Sequence, residues 1–292
     1  MTILAAFSAA GRGSAPLMLA AQLARTTGED VVAVTVVERP WPPRADVVEQ
    51  EYLDYITNQA TQALDRAVAE LPADSRFPTV VHQATSVPKG LLELAGVHRA
   101  GLVVVGSSSS GLLGRVALGS VTERLVHTAE MPVAIAPRGY AQSSGQIRRL
   151  TAAYGGEADI NGLIPATAEL AERWSATLRI VSFTVRNVAA FQGSIEASAE
   201  DLVVAQWTRR THNEITKQLN EVRAHMPVPD VDVVVGTGYD WNTAVQSVPW
   251  HGGDILVMGS GAAAQTAQVF LGSAAAKILR HAPVPVMIVP RR

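Results

Sequence analysis

Residues 102–120 read LVVVGSSSSGLLGRVALGS. An apolar run rich in valine ends in glycine, a glycine- and serine-rich loop follows, and Gly119-Ser120 opens a segment with helical spacing. Glycine at a strand exit lets the backbone approach an anion, serines add hydroxyl donors, and a helix start presents unpaired N–H groups at the positive end of its dipole. The same residue types also turn a chain tightly, so the spacing leaves two readings open: a phosphate cradle, or a turn alone.

The stretch recurs. Residues 259–273 read GSGAAAQTAQVFLGS after DILVM, and an ungapped overlay matches Gly106 to Gly259, Leu118 to Leu271, Gly119 to Gly272 and Ser120 to Ser273, an offset of 153 residues. MPVAIAPR from Met131 falls on VPVMIVPR from Val284 at the same offset, and ILAAFS at Ile3 is matched by LTAAYG at Leu150. Solenoid units repeat every ~20–50 residues, so this longer period is a duplicated domain. The expected organisation is one domain over residues 1–139, a polar linker YAQSSGQIRR over 140–149, and a second domain over 150–292.

Composition agrees. A chain of 292 residues, 48% of them hydrophobic, is long enough for two cores. A net charge of −2 offers no concentrated basic field for a phosphodiester backbone, which argues against nucleic acid as partner. There is no cysteine, hence no disulfide, thiolate nucleophile or cysteine zinc site. MTILAAFSAAGRG lacks the basic start of a secretory leader, and no apolar stretch approaches the ~20 residues of a membrane span, so a cytoplasmic protein is expected.

Within each copy, short apolar runs alternate with helical patterns, the signature of a parallel sheet covered by helices. The predicted strands are ILAAF, VVAVTVV, TVVHQA, LVVVG and VAIAP in copy one, then LTAAY, LRIVSF, VDVVVG, ILVMG and VMIVP in copy two. The fold class is therefore α/β: two tandem copies of a five-stranded open parallel sheet with helices on both faces. Leu53, Ile56, Ala60, Leu64, Val68 and Leu71 form an apolar helical stripe in copy one, as do Ile215, Leu219, Val222 and Met226 in copy two; both read as core. The prolines of ERPWPPRAD, from Glu38, predict an extended excursion over the carboxyl edge of the sheet, where ligands of such folds bind.

That edge carries the candidate site. Gly106, Ser107, Ser108, Ser109 and Ser110 would wrap phosphates, with Gly119, Ser120 and the amide of Val121 meeting them from the next helix start. Against this, Ser120-x-x-Glu123 spells a capping box, which would occupy Ser120 without any ligand. Copy two offers Gly259 and Ser260, then Gly272 and Ser273, but alanines 262–264 replace the remaining hydroxyls. No Gly-Lys-Ser/Thr follows a glycine loop, and GTGYDW from Gly236 lacks the third glycine of a dinucleotide fingerprint. The seven histidines show no ligand spacing, and no base or nucleophile can be nominated for catalysis.

With duplication, strand count and loop in hand, the chain resembles a tandem universal stress protein, of the adenine nucleotide alpha hydrolase-like fold. The family pattern of glycine, two residues, glycine, nine residues, then Gly-Ser lands on Gly106, Ser109, Gly119 and Ser120, and on Gly259, Ala262, Gly272 and Ser273. The second glycine is thus replaced in both copies. ATP-binding members carry an aspartate at the end of the first strand, whereas AAFSAAG has no acid and AAYGGEA offers only Glu157 or Asp159 nearby. The resemblance implies that Val36 and Val105 pack on adenine, with Phe183 and Met258 as counterparts, although both also suit plain strand core. It implies ATP, carried with magnesium, as the ligand of copy one, and pairing of the two domains through VAIAP and VMIVP; a homodimer of the whole chain is compatible with this. The alternative is a member that binds no nucleotide and works as a protein-interaction scaffold.

Overall fold

The computed structural model describes residues 1–8, 13–40, 47–72, 75, 77–141, 145–155, 162–185, 197–225, 227–228, 230–262, 269–270 and 273–290. In copy one β1 (Thr2–Ala6), β2 (Asp30–Glu38), β3 (Thr79–Ala84), β4 (Ala100–Gly106) and β5 (Val133–Ala136) alternate with α1 (Ala15–Thr27), α2 (Val47–Ala69), α3 (Val87–Val97) and α4 (Ser120–Thr128). Copy two repeats the order with β6 (Arg149–Ala153), α5 (Leu163–Arg173), β7 (Thr177–Val185), α6 (Ala197–Arg223), β8 (Val231–Gly238), α7 (Trp241–Gln246) and β9 (Asp254–Gly259). A two-residue antiparallel pair, β10 (Gly261–Ala262) with β11 (Val269–Phe270), then precedes α8 (Ser273–His281) and β12 (Val286–Val289).

All ten predicted strands form, most of them starting a residue or two earlier than their apolar runs. They join in one sheet of order β3-β2-β1-β4-β5-β12-β9-β6-β7-β8. Each half is parallel, and the halves meet where β5 and β12 pair antiparallel, Val133 facing Ile288, Ala134 facing Met287 and Ile135 facing Val286. Because Ala134 and Met287 are equivalent by the 153-residue offset, this register is centred on an internal two-fold axis.

The valine-rich runs are apolar throughout because both faces are covered. Ile3, Ala33, Val104 and Ala134 pack on one side with Leu17, Leu23, Leu64 and Val68 of α1 and α2, and this core runs on into Leu150, Leu178, Val257 and Met287 beneath α5. Leu4, Val34, Val103, Val105 and Ile135 pack on the other side with Leu91 and Leu125, continuing into Leu256, Ile288, Val245 and Ile278 beneath α7 and α8. Leu53, Ala60, Leu64 and Val68 are buried as the stripe requires, and so is Leu71, which lies beyond the end of α2. Ile215 and Leu219 are buried in copy two. Met226 and most of the proline-rich excursion fall outside the described residues.

The chain between the halves is tied to α1. The Tyr140 hydroxyl donates to Oε1 of the buried Gln22, Gln146 Nε2 donates to Arg25 O at 2.8 Å, and the Ile147 amide donates to Thr26 Oγ1 at 2.8 Å. Burial pushes the Tyr140 phenol up to about 12 against the opposing pull of the Arg25 charge. A phenol whose folded pKa exceeds its unfolded value of about 10 contributes stability that is complete below pH 10 and is lost as pH rises through 12. Denaturant melts of the wild type are expected to weaken over that window, and Tyr140→Phe to flatten the slope. An unchanged slope in Tyr140→Phe would assign the alkaline loss to another group.

Candidate functional site

β4 delivers Gly106 to the carboxyl edge, and two helix starts converge on it. Pro16 in the first turn of α1 lies so close that a Cβ on Gly106 would stand 3.3 Å from its Cγ, so glycine here serves helix–strand packing whether or not a ligand is bound. From α4, Thr122 Oγ1 donates to Gly106 O at 3.2 Å. The serine loop is then closed on itself. Ser107 N donates to Ala136 O at 3.0 Å, Ser107 Oγ accepts from Ala117 N at 2.7 Å and lies 3.2 Å from Ala117 O, and Ser108 N donates to Ala117 O at 2.8 Å. Gly111 N returns to Ser108 O at 3.1 Å, and a Cβ at Gly111 would stand 2.7 Å from Ala117 Cβ.

These bonds bring the two ends of the loop together, since a Cβ on Gly119 would lie 3.6 Å from Ser108 Cβ. Ser107 is therefore structural. Ser108 and Ser110 share a hydroxyl hydrogen bond of 2.8 Å, and Ser109 and Ser110 are exposed. The capping box is not made: Gly119, extended at φ −96°, is the N-cap, and Ser120 is the exposed first residue of α4, with no hydroxyl partner among the described residues. The first helical hydrogen bond, Glu123 N to Gly119 O at 2.8 Å, leaves the amides of Ser120 and Val121 without an intrahelical acceptor. Ser108 thus lies beside the first turn of α4, whose Ser120 and Val121 amides are open, and Ser109 and Ser120 are exposed.

The apolar candidates are placed differently. Val105 is 3% exposed within the core, and Val36 is partly buried, its Cγ1 2.7 Å from where a Cβ on Gly90 of α3 would stand. In copy two, Met258 is buried and Phe183 partly so. Gly259 has room, the nearest atom to an added Cβ being Leu163 Cβ at 3.8 Å, but Ser260 is buried, its amide on Val289 O at 3.0 Å. Beyond it Gly261 and Ala262 are committed to Phe270 and Val269. Ser273 is the exposed first residue of α8. Gly272, Ala263, Ala264, Glu157 and Asp159 lie outside the described residues.

Two residues of copy one escaped the sequence reading. Arg138 Nη1 donates to Gly111 O at 2.7 Å and its amide to Arg115 O at 3.0 Å, so the second residue after β5 braces the loop. The repeated Pro-Arg pair, Pro137-Arg138 and Pro290-Arg291, was the available signal. Pro16, which packs against Gly106, left none. Among the described residues no group of three or more histidine, aspartate or glutamate side chains could hold a metal ion, and no helix is long and apolar enough to cross a membrane.

The duplicated loop, brought to equivalent edges of a two-fold sheet, coincides with a family profile described as the universal stress protein family, which matches residues 1–137 and again 147–290. The chain belongs to the universal stress protein family. Universal stress protein Rv2319c of Mycobacterium tuberculosis is 31% identical over 296 aligned residues, covering 99% of this chain and 100% of the relative. Universal stress protein Mb2346c of Mycobacterium bovis matches to the same extent. The fold is also that of a solved universal stress protein from Archaeoglobus fulgidus, at 14% identity and a TM-score of 0.58, covering 100% of this chain and 98% of that one.

Proposed function

We propose that this universal stress protein is a stress-response regulator that takes the phosphates of an adenine nucleotide in the crevice of copy one, with copy two structural. The observation that carries the reading is the meeting of Ser108 with Gly119 beneath the open first turn of α4. Two or three phosphate oxygens suit the amides of Ser120 and Val121 and the hydroxyls of Ser109 and Ser120. Magnesium would arrive on the triphosphate, because that ion is usually held by phosphates and one or two carboxylates. The base has less support: Val105 is already covered by protein, and the first strand ends without an acid. Those two facts favour the second reading, an interaction scaffold that binds no nucleotide.

Calorimetric titration with ATP and magnesium separates them. One site per chain is expected, weakened at least ~10-fold by Gly119→Val, a loss of about 1.4 kcal/mol, and unaffected by Gly272→Val. Gly119 has extended backbone and ordinary contacts, so a valine fits there without backbone strain, and melting curves should shift only by the ~1 kcal/mol of a poorer N-cap. Absence of saturable binding, with no nucleotide released on denaturing the purified protein, would overturn the nucleotide reading, and a protein partner recovered by pull-down from stressed cells would then support the scaffold.

A further inference from the structure

The two long outer helices expose apolar residues at equivalent positions. The buried Ala60 and Leu64 of α2 correspond to the buried Ile215 and Leu219 of α6 at an offset of 155 residues. At the same offset Val47, 73% exposed, corresponds to Leu202, 72% exposed, and Tyr52, 54% exposed, corresponds to Trp207, 48% exposed. Val48 and Tyr55, one turn to either side of Tyr52, enlarge the α2 patch and are also exposed. The exposed aromatics among them, Tyr52, Tyr55 and Trp207, are of the residue types that anchor protein interfaces.

The charges beside them are opposite. From Val47 to Asn58 the charged residues of α2 are Glu49, Glu51 and Asp54, with no base. The equivalent window of α6, Leu202 to Asn213, contains Arg209 and Arg210 and no acid, Asp201 and Glu214 standing just outside it. Glu51 lies one turn from Val48 and Tyr55, and Arg210 one turn from Trp207; Glu51, Asp54, Arg209 and Arg210 are all exposed. The helices cannot meet within one molecule, because α2 lies over β2 and β3 at one end of the sheet and α6 over β8 at the other, about 40 Å apart at ~4.8 Å per strand.

We infer that the occupant of each patch is a second copy of this chain, α2 of one molecule docking against α6 of the next, with the aromatic and aliphatic residues interdigitated and the acidic rim facing the arginines. The contact joins two different surfaces, so it is heterologous. A helix pair of this size belongs to the small end of specific interfaces and is sensitive to salt.

Sedimentation velocity on the full chain tests it. The weight-average mass should rise above 30.9 kDa with concentration in dilute buffer and return towards it in ~1 M salt, where the Debye length falls to ~3 Å. Glu51→Lys with Asp54→Lys, and separately Arg209→Glu with Arg210→Glu, should each weaken self-association at least tenfold while circular dichroism stays unchanged. Mixed one to one, the two variants should co-associate in alternation, since each retains the surface the other needs and their reversed surfaces also match. All four substitutions in one chain should restore self-association. A wild-type chain that stays at 30.9 kDa in dilute buffer, or reversed variants that associate as the wild type does, would overturn the inference, as would the absence of a complex on mixing.

Discussion

Asp254→Ala should destabilise the protein by about 3–5 kcal/mol, the cost of removing one partner from a buried ion network. Asp254 is 3% exposed at the start of β9. Arg149 of β6 grips it with two bonds, Nε to Oδ1 at 3.0 Å and Nη2 to Oδ2 at 2.7 Å, while Arg179 of β7 stands 4.0 Å away. Arg179 is itself almost wholly buried, its other partners being Pro249 O at 2.9 Å and Asp232 at 3.3 Å. Burial lowers its guanidinium pKa, Arg149 adds repulsion, and Asp254 and Asp232 pull it back. Without Asp254 two guanidiniums remain beside each other, one of them shut in, and neither can shed its proton. Copy one places Val32 where copy two has Arg179, so the fold does not require a charge there. Adding Arg179→Met to Asp254→Ala should therefore recover at least half of the loss, a strong positive coupling in a double-mutant cycle read by urea denaturation. A single-variant loss below ~1 kcal/mol would show the network to be solvated instead of closed.

This network was invisible to sequence reading for a physical reason. Arg179 sits inside a mostly apolar strand, LRIVSF, and nothing in the chain order reveals that Asp232 comes from the strand beside it and Asp254 from one two places away. The strands were legible because parallel pairing buries both faces, which forces runs such as LVVVG and VAIAP to be apolar throughout. The duplication was legible because Gly106, Gly119 and Ser120 recur with unchanged spacing. What those glycines do was only partly so. Gly106 answers to Pro16, ninety residues away in the chain, and Ser107 is consumed by Ala117, whereas Ser120 is freer than its capping-box spelling implies. Sequence spacing pointed to the approach of Ser108 and Gly119; it could not apportion the loop residues between holding the loop and facing a ligand.

Met287→Ala should cost about 2–5 kcal/mol, as expected for a fully buried methionine, and should weaken both halves of the molecule together. Met287 faces Ala134 at the centre of the β5–β12 ladder, and it lines a small recess with Leu102 from across the seam and Leu170 and Trp174 of its own copy. Truncation enlarges that recess where α1 and α5 share one continuous core. If the ten strands unfold as one unit, amide hydrogen exchange should accelerate by the same factor in β1 and β6, which lie two strands from the ladder on either side. Each 1.4 kcal/mol lost corresponds to a tenfold gain in exchange through global opening, so a variant that loses ~3 kcal/mol should quicken both strands more than a hundredfold. Acceleration confined to β6 would mean that the duplicated domains are separately stable, with the antiparallel ladder a contact between them and no part of a common core. Equal acceleration would mean that fusion of the two copies has made one cooperative sheet, so that anything bound at the carboxyl edge of copy one stabilises copy two as well.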